Sequence, residues 1–468
     1  MRKFYSSERY KRLPVALQNA FVTLKGAAYS FIRKGFDSHA LNAMLLSAES
    51  LDQEQIRAMQ YRKVVSLLDH AFRNVPYYRS KFAEIGFNPG DFKSLDDLSL
   101  LPLITKEIVR DNAGDFIAEN YRRKNLVSGA TSGTTGVSLT LKMDSRLIHL
   151  EHAFARRQFR WAGLPEHGSR CALLRGDMIV PAEQNTPPFW RYDAWGREMW
   201  FSAYHVSELS APYYISELER FDPHIIFAYP SAAYSLSQFA AEAGRKPEIR
   251  SLRGIVTSSE TFLDFERRKV AEVFGSKIFD WYGSFERVIF IGTCEDGRYH
   301  LFPDYGFTEF LPSDVDEDGV EYHEMVGTGF LNRVMPLIRY RTGDTVTLPN
   351  GNTACGCGRH FRQVSSIIGR SDDAIVTPDG RRLSTLAHVF KSTPGIRRAQ
   401  IVQDTIDTLT VRIVRGPGYN EAGEANLIAH ILERTGSGMR IEVIQEPVIA
   451  PGKNGKIKMV VSNLPKRE

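Results

Sequence analysis

Short apolar runs through the middle of the chain constrain the fold more than any other feature. They lie at 171–174, 225–229, 252–256 and 277–282, spaced widely enough for helices to lie between them. Two of the intervening segments, 232–243 and 262–274, carry apolar residues at helical spacing. Strands that alternate with helices predict an α/β architecture with largely buried strands.

The regions on either side of this core have different patterns. Asp52 can cap a helix that Pro76 ends. From 301 to 348 the chain is β-rich, with turns at Asp318-Gly319 and Asn350-Gly351. We expect an α/β fold with a basic amphipathic extension over 1–50, a large N-terminal α/β domain of several subdomains with a β-rich part over 51–370, and a small mobile C-terminal α+β domain over 371–468.

Composition narrows the functional class. The 468 residues are 43% hydrophobic and 25% charged, which is typical of a soluble globular protein. A formal net charge of +5 is modest for this length and does not indicate a nucleic-acid partner. Four cysteines are too few for a disulfide framework, so we expect reduced thiols and a cytoplasmic location.

The basic N-terminus leaves two interpretations open. Its apolar segment, 13–32, contains Gln18, Asn19, Lys25 and Gly26, so it is a poor transmembrane or signal sequence. An amphipathic helix with basic flanks can rest peripherally on an anionic membrane surface, here the inner face. The alternative is a helix packed on its own domain with solvated Lys and Arg side chains.

A loop of hydroxyl and glycine residues follows at 131–136 and is a candidate phosphate site. Backbone N–H groups turned inward by glycine, together with Ser and Thr hydroxyls, can hold phosphate oxygens. The loop is not the nucleoside-triphosphate P-loop, because no Gly-Lys-Ser/Thr follows it. A solvent-exposed turn explains the residues as well. The candidate ligands are Ser132, Gly133, Thr134, Thr135 and Gly136.

Four more motifs follow in order, and each by itself also fits an ordinary turn. Tyr282 and Gly283 end a predicted strand; Tyr282 offers an aromatic face for a base, and Glu286 a carboxylate for Mg²⁺. Asp344 can accept both hydroxyls of a ribose. Residues 369–373 are small and polar enough for a hinge. Lys456, between glycines, can reach phosphate charge or a developing oxyanion.

Taken together, these motifs resemble the adenylate-forming superfamily of acyl-CoA synthetases, luciferases and peptide-synthetase adenylation domains. Segments 74–79, 101–106 and 355–359 resemble its phenylacetate-CoA ligase-like branch. Segment 254–260, with Ser259 and Glu260, is similar to the family segment that lies against the adenine. The basic extension and the Thr-Ser-Ser-Glu at 257–260 resemble members associated with capsular polysaccharide biosynthesis.

The resemblance implies an ATP- and Mg²⁺-dependent ligase for a small carboxylic acid. An acyl-adenylate forms first, and a thiol such as that of CoA, an amine or a hydroxyl then displaces AMP. The loop at 131–136 would hold phosphates, Tyr282 would lie near adenine, and Asp344 would bind the ribose. Glu286 would serve Mg²⁺ and Arg370 would reach the nucleotide. Asp372 would act as the hinge and Lys456 would stabilise charge.

Two positions depart from the family pattern. The lysine usual soon after the glycine loop is replaced by Val137, and the Ser or Thr usual before the glutamate is replaced by Phe285. Lys142 is a candidate replacement for the missing cation. Phe285 has no hydrogen-bond donor, so it is a candidate wall of the acyl pocket. Aromatic residues near the predicted pocket indicate a flat or aryl acid unless they are core residues; they are Trp281, Phe285, Phe227 and Tyr229.

Cys294, His300, Cys355 and Cys357 suit a structural Zn²⁺ site of three sulfurs and one imidazole. The Cys-x-Cys spacing is tighter than usual, but some members of the resembled branch carry a similar arrangement. Unrelated buried thiols are the alternative, and His360 is an alternative fourth ligand.

Two further functions stay open beside the ligase. One is an adenylyltransferase that leaves AMP on a substrate hydroxyl. The other is a catalytically impaired nucleotide-binding scaffold in polysaccharide biosynthesis. The departures at Val137 and Phe285 favour both of these alternatives more than an intact pattern would.

Overall fold

The computed structural model describes residues 8–34, 38–130, 139–177, 179–181, 183–315, 319–351, 354–370, 375–378, 382–383, 389–390, 393, 395–436, 438–450 and 458–464. The chain divides into two compact units. Unit 1 comprises Met1–Val22, Gly168–Ile278 and Ile368–Glu468. Unit 2 comprises Thr23–His167 and Phe279–Ile367.

The α-helices of the described residues, in chain order, are α1 (Glu8–Lys11), α2 (Val15–Lys34), α3 (Ser38–Glu49), α4 (Gln53–Asn74), α5 (Pro76–Glu84), α6 (Lys106–Asp111), α7 (Ser145–Trp161), α8 (Ala211–Phe221), α9 (Pro230–Glu242), α10 (Asp264–Phe274) and α11 (Glu421–Thr435). Short 3-10 turns lie at Pro89–Asp91, Leu95–Leu100, Arg123–Asn125 and Ala203–His205.

The strands are β1 (Val127–Ala130), β2 (Thr140–Met143), β3 (Cys171–Arg175), β4 (Trp190–Asp193), β5 (Glu198–Ser202), β6 (Ile225–Ala228), β7 (Gly254–Ser258), β8 (Ile278–Gly283), β9 (Phe290–Thr293), β10 (Tyr299–Leu301), β11 (Gly306–Val315), β12 (Glu321–Gly329), β13 (Tyr340–Thr347), β14 (Gln363–Val364), β15 (Ser366–Arg370), β16 (Ile375–Val376), β17 (Arg382–Leu383), β18 (Ile396–Thr405), β19 (Thr408–Arg415), β20 (Arg440–Gln445) and β21 (Val460–Ser462).

Unit 1 contains the predicted parallel sheet. Its strands lie in the order β4-β5-β3-β6-β7. Pairs β5–β3, β3–β6 and β6–β7 are parallel, and β4 is antiparallel to β5. All five residues of β7 are buried, as expected for a strand covered on both faces. Helices α8, α9 and α10 pack on this sheet around an apolar core that includes Ile226, Leu236 and Val270.

The C-terminal part of unit 1 has its own sheet and core. Strands lie in the order β20-β19-β18-β21, with β18 and β19 antiparallel and the two outer pairs parallel. Alternate residues of β19 are buried, and they meet Leu427 and Ile431 of α11 in one cluster. Asn420 caps α11 by accepting from the N–H of Gly423 at 2.9 Å.

Unit 2 is built mainly from antiparallel strands and N-terminal helices. Strands β8, β9, β10 and β14 pair in succession, and β11, β12 and β13 form a second antiparallel set. Asp52 begins α4 as predicted. Its Oδ1 accepts from the N–H of Gln55 at 2.8 Å, and the Asp52 N–H donates to Gln55 Oε1 at 3.0 Å.

The structure confirms the α/β class and the C-terminal α+β part. The four predicted buried runs fall on β3, β6, β7 and β8, and the two helical patterns fall on α9 and α10. Gly319 and Gly351 have φ of 77° and 79°, consistent with the predicted turns. The domain limits at 50 and 370 stay predictions. Among the described residues, no helix is long and apolar enough to cross a membrane.

Candidate functional site

Two motifs separated by about sixty residues meet in unit 2. Tyr282 lies near the end of β8, and Asp344 lies on β13. The Tyr282 hydroxyl donates to Asp344 Oδ2 at 2.6 Å. Burial, followed by the nearby Asp344 charge, raises the pKa of Tyr282 well above its ordinary value. The phenol therefore stays protonated and acts as a donor that orients the carboxylate.

The turn before Asp344 requires glycine. Gly343 has φ of 70°, a conformation that side-chain-bearing residues rarely adopt. The next residue, Asp344, donates its N–H to Thr342 Oγ1 at 3.1 Å, and Thr342 in turn donates to the Met325 carbonyl. Because this local network holds the backbone, the carboxylate is presented in a defined direction and is only 7% exposed.

The predicted magnesium ligand lies in the same unit. Glu286 follows β8 and is buried, and its Oε1 accepts from the Tyr340 hydroxyl at 3.2 Å. Tyr340 is the first residue of β13, four residues before Asp344. The strand that carries the ribose candidate thus also holds the carboxylate of the magnesium candidate. Gly283, predicted as a cofactor contact, is exposed at the end of β8.

The arginines of the Asp344 motif have structural roles. Arg339 is buried and pairs with Glu309 at 2.8 Å, and it also donates to the Ser99 carbonyl at 3.1 Å. Arg341 forms a salt bridge with Glu324 across the β12–β13 pair. Both guanidinium groups are therefore engaged by carboxylates of their own sheet.

Phe285, one of the two departures from the family pattern, packs against the strand that leads to the glycine loop. A Cβ at Gly129 on β1 would lie 2.2 Å from the Phe285 ring, so the ring occupies the space above the backbone. Lys142 on β2 pairs with Ser128 and donates to its hydroxyl at 2.6 Å. The candidate replacement cation therefore lies beside the strand that enters the loop.

Several predicted residues lie outside the described residues. These are the glycine loop with Ser132, Gly133, Thr134, Thr135, Gly136 and Val137, the hinge candidate Asp372, and Lys456. Arg370 is the last residue of β15, and only its backbone is described. The assignments of these residues stay predictions.

Ser259 and Glu260 lie in unit 1, directly after β7. Glu260 accepts from the N–H of Ser231 at 2.9 Å and from its hydroxyl at 3.2 Å, at the start of α9. A carboxylate at a helix N-terminus is favourably placed. Ser259 has φ of 77°, which is unusual for a residue with a side chain and often marks a functional turn.

Arg175 is a neighbour of this turn that sequence reasoning missed. It ends β3 and donates to Ser258 Oγ at 2.8 Å and to Ser259 Oγ at 3.4 Å. Its guanidinium carbon lies 4.1 Å from the centre of the Phe227 ring and 4.7 Å from that of Tyr229. The signal in the sequence was a single basic residue directly after a short apolar run.

The four predicted zinc ligands come together in unit 2 as a Cys/His cluster. The ligand atoms of Cys294, His300, Cys355 and Cys357 all lie within 4.8 Å of one another. Two sulfurs, of Cys294 and Cys355, are 3.6 Å apart, and Cys357 Sγ is 3.5 Å from His300 Nε2. His300, rather than the alternative His360, belongs to the group.

The geometry of the Cys/His cluster fits a tetrahedral metal. His300 is fully buried and its Nδ1 lies 3.0 Å from the Phe361 carbonyl, so Nε2 faces the sulfurs. Burial raises the pKa of Cys355 to about 12. A bound cation would offset the cost of forming thiolates there.

Comparison with known proteins gives the following similarities. The family model of the CapK C-terminal domain matches residues 375–463. The chain is 23% identical to Protein CapK of Staphylococcus aureus over 472 residues, covering 97% of this chain and 99% of that protein. It is 28% identical to the phenylacetate-coenzyme A ligase of Thermus thermophilus over 455 residues, covering 89% and 94%.

Among solved structures, the fold is similar to that of a 2-hydroxyisobutyryl-CoA ligase in its postadenylation state. The TM-score is 0.68, with 18% sequence identity and coverage of 89% of this chain and 91% of that one.

Proposed function

The chain is a homologue of CapK and of the phenylacetate-CoA ligases and has the fold of the adenylate-forming CoA ligases, and we propose that it activates a small carboxylic acid with ATP. A carboxylate oxygen attacks the α-phosphorus, and the α–β phosphoanhydride bond breaks to release pyrophosphate. An acceptor thiol, with CoA as our first candidate, then attacks the acyl carbon and releases AMP.

The observation that carries this proposal is the pairing of two motifs in unit 2. Asp344 and Glu286 are both buried, and each accepts a hydrogen bond from a tyrosine. Adenylyl transfer depends on positioning and charge neutralisation more than on a dedicated nucleophile. Oriented, buried carboxylates suit both tasks, because one can hold a ribose and the other a metal-bound phosphate.

We assign the remaining roles by the family pattern. Ser132, Thr134 and Thr135 hold phosphates, Tyr282 lies beside the adenine, and Glu286 holds Mg²⁺, which neutralises phosphate charge when bound. The segment with Ser259 and Glu260 lies against the adenine. Arg370 reaches the nucleotide, and Lys456 stabilises the charge that develops on the α-phosphate. Rotation at Asp372 withdraws Lys456 and admits the acceptor.

Exchange of labelled pyrophosphate into ATP, run across a broad panel of carboxylic acids, tests the proposal. A ligase shows exchange that depends on an acid and that Lys456→Ala abolishes. Lys458→Ala is the matched control, since it removes a lysine two positions away and should keep exchange. Exchange that survives Lys456→Ala would contradict the assigned role of that residue.

A parallel assay with ATP labelled in its α-phosphate separates the alternatives. An adenylyltransferase transfers labelled AMP to a substrate hydroxyl and releases unlabelled pyrophosphate, so the label stays in the product after the nucleotide pool is removed. A scaffold binds ATP but exchanges no pyrophosphate with any acid of the panel. The departure at Phe285, which places a ring without a donor against β1, is the described feature that favours these alternatives.

We also propose that the Cys/His cluster holds a structural Zn²⁺. Four protein ligands leave no open coordination position, so the ion would stabilise unit 2 rather than take part in the reaction. Elemental analysis of protein prepared without chelator should give close to one zinc per chain. Cys357→Ser should lower that ratio, whereas Cys171→Ser, which changes the cysteine outside the cluster, should not. Trace zinc in the unaltered protein would end the proposal.

A third proposal concerns α2 and an anionic membrane surface. The helix turns polar residues inward: Gln18 is buried and accepts from Arg191 at 2.5 Å, and Asn19 accepts from the Tyr192 N–H at 3.0 Å. Its outward face is apolar, with Leu17 49% exposed and Phe21 40% exposed. One face of the helix therefore packs on the protein itself, and the membrane proposal concerns only the outward face.

The charges near the outward face of α2 indicate what kind of surface it would bind. Arg9 and Arg12 are exposed just before α2, and no Asp or Glu occurs between Arg9 and Lys34. An apolar helix face with basic neighbours suits anionic lipid. The protein should sediment with phosphatidylglycerol vesicles but not with phosphatidylcholine vesicles. Leu17→Glu combined with Phe21→Glu should abolish sedimentation, and the exposed control Leu209→Glu should not. Equal sedimentation of all variants would refute the proposal.

A further inference from the structure

Three parallel strands of unit 1 end at the same level, and a cation lies where they end. Leu174 of β3 pairs with Ala228 of β6, and Ala228 pairs with Thr257 of β7. Arg175, Tyr229 and Ser258 are each one residue further along, so they form one row at the carboxyl edge of the sheet. In open α/β sheets, ligands bind outside this edge.

The Arg175 guanidinium is in direct contact with uncharged groups. It lies over the faces of Phe227 and Tyr229 and donates to the hydroxyls of Ser258 and Ser259. Burial lowers its pKa more than the carboxylates of Asp177 and Glu260, which act on it only from a longer distance, raise it. Within the part of the chain that the structure describes, no carboxylate forms an ion pair with it.

Three other weakly exposed arginines each have a carboxylate partner. Arg157 pairs with Asp304 at 2.6 Å, Arg339 with Glu309 at 2.8 Å, and Arg359 with Glu295 at 2.6 Å. Removing a cation from water is costly unless a counter-charge compensates. Aromatic faces and hydroxyls offset only part of that cost. An anionic ligand that paired with the Arg175 guanidinium would offset the rest.

From this we infer that Arg175, together with Ser258 and Ser259, binds an anionic oxygen group of the ligand, a carboxylate or a phosphate. The planar guanidinium fork matches both groups, and the two serine hydroxyls can donate to the same oxygens. The rings of Phe227 and Tyr229 flank the position and suit an apolar or aryl part of the ligand.

The inference rests on the proposed function for the source of the anion. One source is the acid, which would then carry a second anionic group or present its reacting carboxylate here. The other source is the phosphate chain of ATP. Both use the same chemistry, and binding measurements without turnover distinguish them.

Calorimetry measures the binding of ATP and of 4-carboxyphenylacetate separately to the full chain and to Arg175→Met. A loss of about ten- to a hundredfold in affinity for one ligand supports the site and names its source, because hydrogen bonds to charged groups have that magnitude. Unchanged affinity for both ligands, in a chain that binds at least one of them, would overturn the inference. Binding of neither ligand by the unaltered chain would also overturn it.

Two variants keep the test interpretable. Arg170→Met removes the arginine that directly precedes β3, where it pairs with Asp222, and should leave both affinities unchanged. Arg175→Lys keeps the charge but loses the fork, so an intermediate affinity is expected, and it serves as the test if Arg175→Met fails to fold. If the protein exchanged no pyrophosphate but still bound an anion through Arg175, the proposed function would be refuted and the anion site would be supported.

Discussion

Substitution of Asp344 by Asn is the sharpest test of the nucleotide site. The carboxylate is 7% exposed and one of its oxygens already accepts from Tyr282 at 2.6 Å. An ionised carboxylate offers about four acceptor positions, so capacity for two ribose hydroxyls remains. Asn keeps the size of the side chain and one acceptor oxygen but removes the charge.

The expected magnitude follows from that geometry. A hydrogen bond to a charged group contributes about 1.5–3 kcal/mol, which corresponds to about a 10- to 150-fold change in affinity. Asp344→Asn should therefore weaken ATP binding by at least about tenfold. In the unaltered protein, 2′-deoxy-ATP and 3′-deoxy-ATP should each bind about tenfold more weakly than ATP.

Equilibrium calorimetry of these three nucleotides on both proteins forms a double-mutant cycle. If Asp344 holds the ribose, the penalty for a missing hydroxyl should largely disappear in Asp344→Asn, giving a coupling of at least about 1 kcal/mol. Tyr282→Phe is the comparison variant, because it keeps the ring beside the adenine and removes only the donor that orients Asp344. The carboxylate remains in this variant, so the deoxy penalties should fall less than they do in Asp344→Asn.

Two results would refute the reasoning. Equal binding of ATP and both deoxy analogues by the unaltered protein would show that the hydroxyls are not recognised. A deoxy penalty that persists at full size in Asp344→Asn would show that another group recognises them.

Three predictions concern stability. Burial raises the pKa of Glu266 from 4.5 to about 7, so folding favours its protonated form. The free energy of unfolding should therefore be highest below pH 4.5 and fall by about 3 kcal/mol as the pH rises to 7. Urea unfolding of Glu266→Gln should show no such fall, and the same pH dependence in both proteins would contradict the prediction. Asp304→Asn should cost about 3–5 kcal/mol, because Arg157 beside it is fully buried, whereas Asp96→Asn, which breaks an exposed pair with Arg57, should cost less than about 1 kcal/mol in the same assay. Chelation of zinc from the Cys/His cluster should lower Tm by more than about 5 °C and zinc should restore it, whereas a Tm insensitive to both would argue against a structural metal.

The sequence predicted the elements well because their signals are local. Run length and helical spacing depend on neighbouring residues alone, so β3, β6, β7, β8, α9 and α10 could all be read from the chain. The cap at Asp52 was equally predictable, since a capping box spans four consecutive residues. The resemblance to the adenylate-forming superfamily allowed the ordered motifs to be interpreted as parts of one nucleotide site.

Contacts between distant segments could not be predicted in this way. Arg175 reaches Ser258, 83 residues away, because parallel strands bring their ends to one edge. A lone arginine after an apolar run carries no signal of that pairing. The sequence likewise could not predict which face of α2 is exposed. That Gln18 and Asn19 face inward is seen only from their contacts with Arg191 and Tyr192.

The sequence by itself determined the α/β class and the identity of Tyr282, Glu286, Asp344 and the four cluster ligands as candidates. The tertiary structure decided which of these side chains meet: Tyr282 with Asp344, Tyr340 with Glu286, and His300 rather than His360 with the three cysteines. The physical reason is that residue type and periodicity are properties of short segments, whereas a hydrogen bond or a metal site needs atoms within a few ångströms. Only the path of the folded backbone sets those distances.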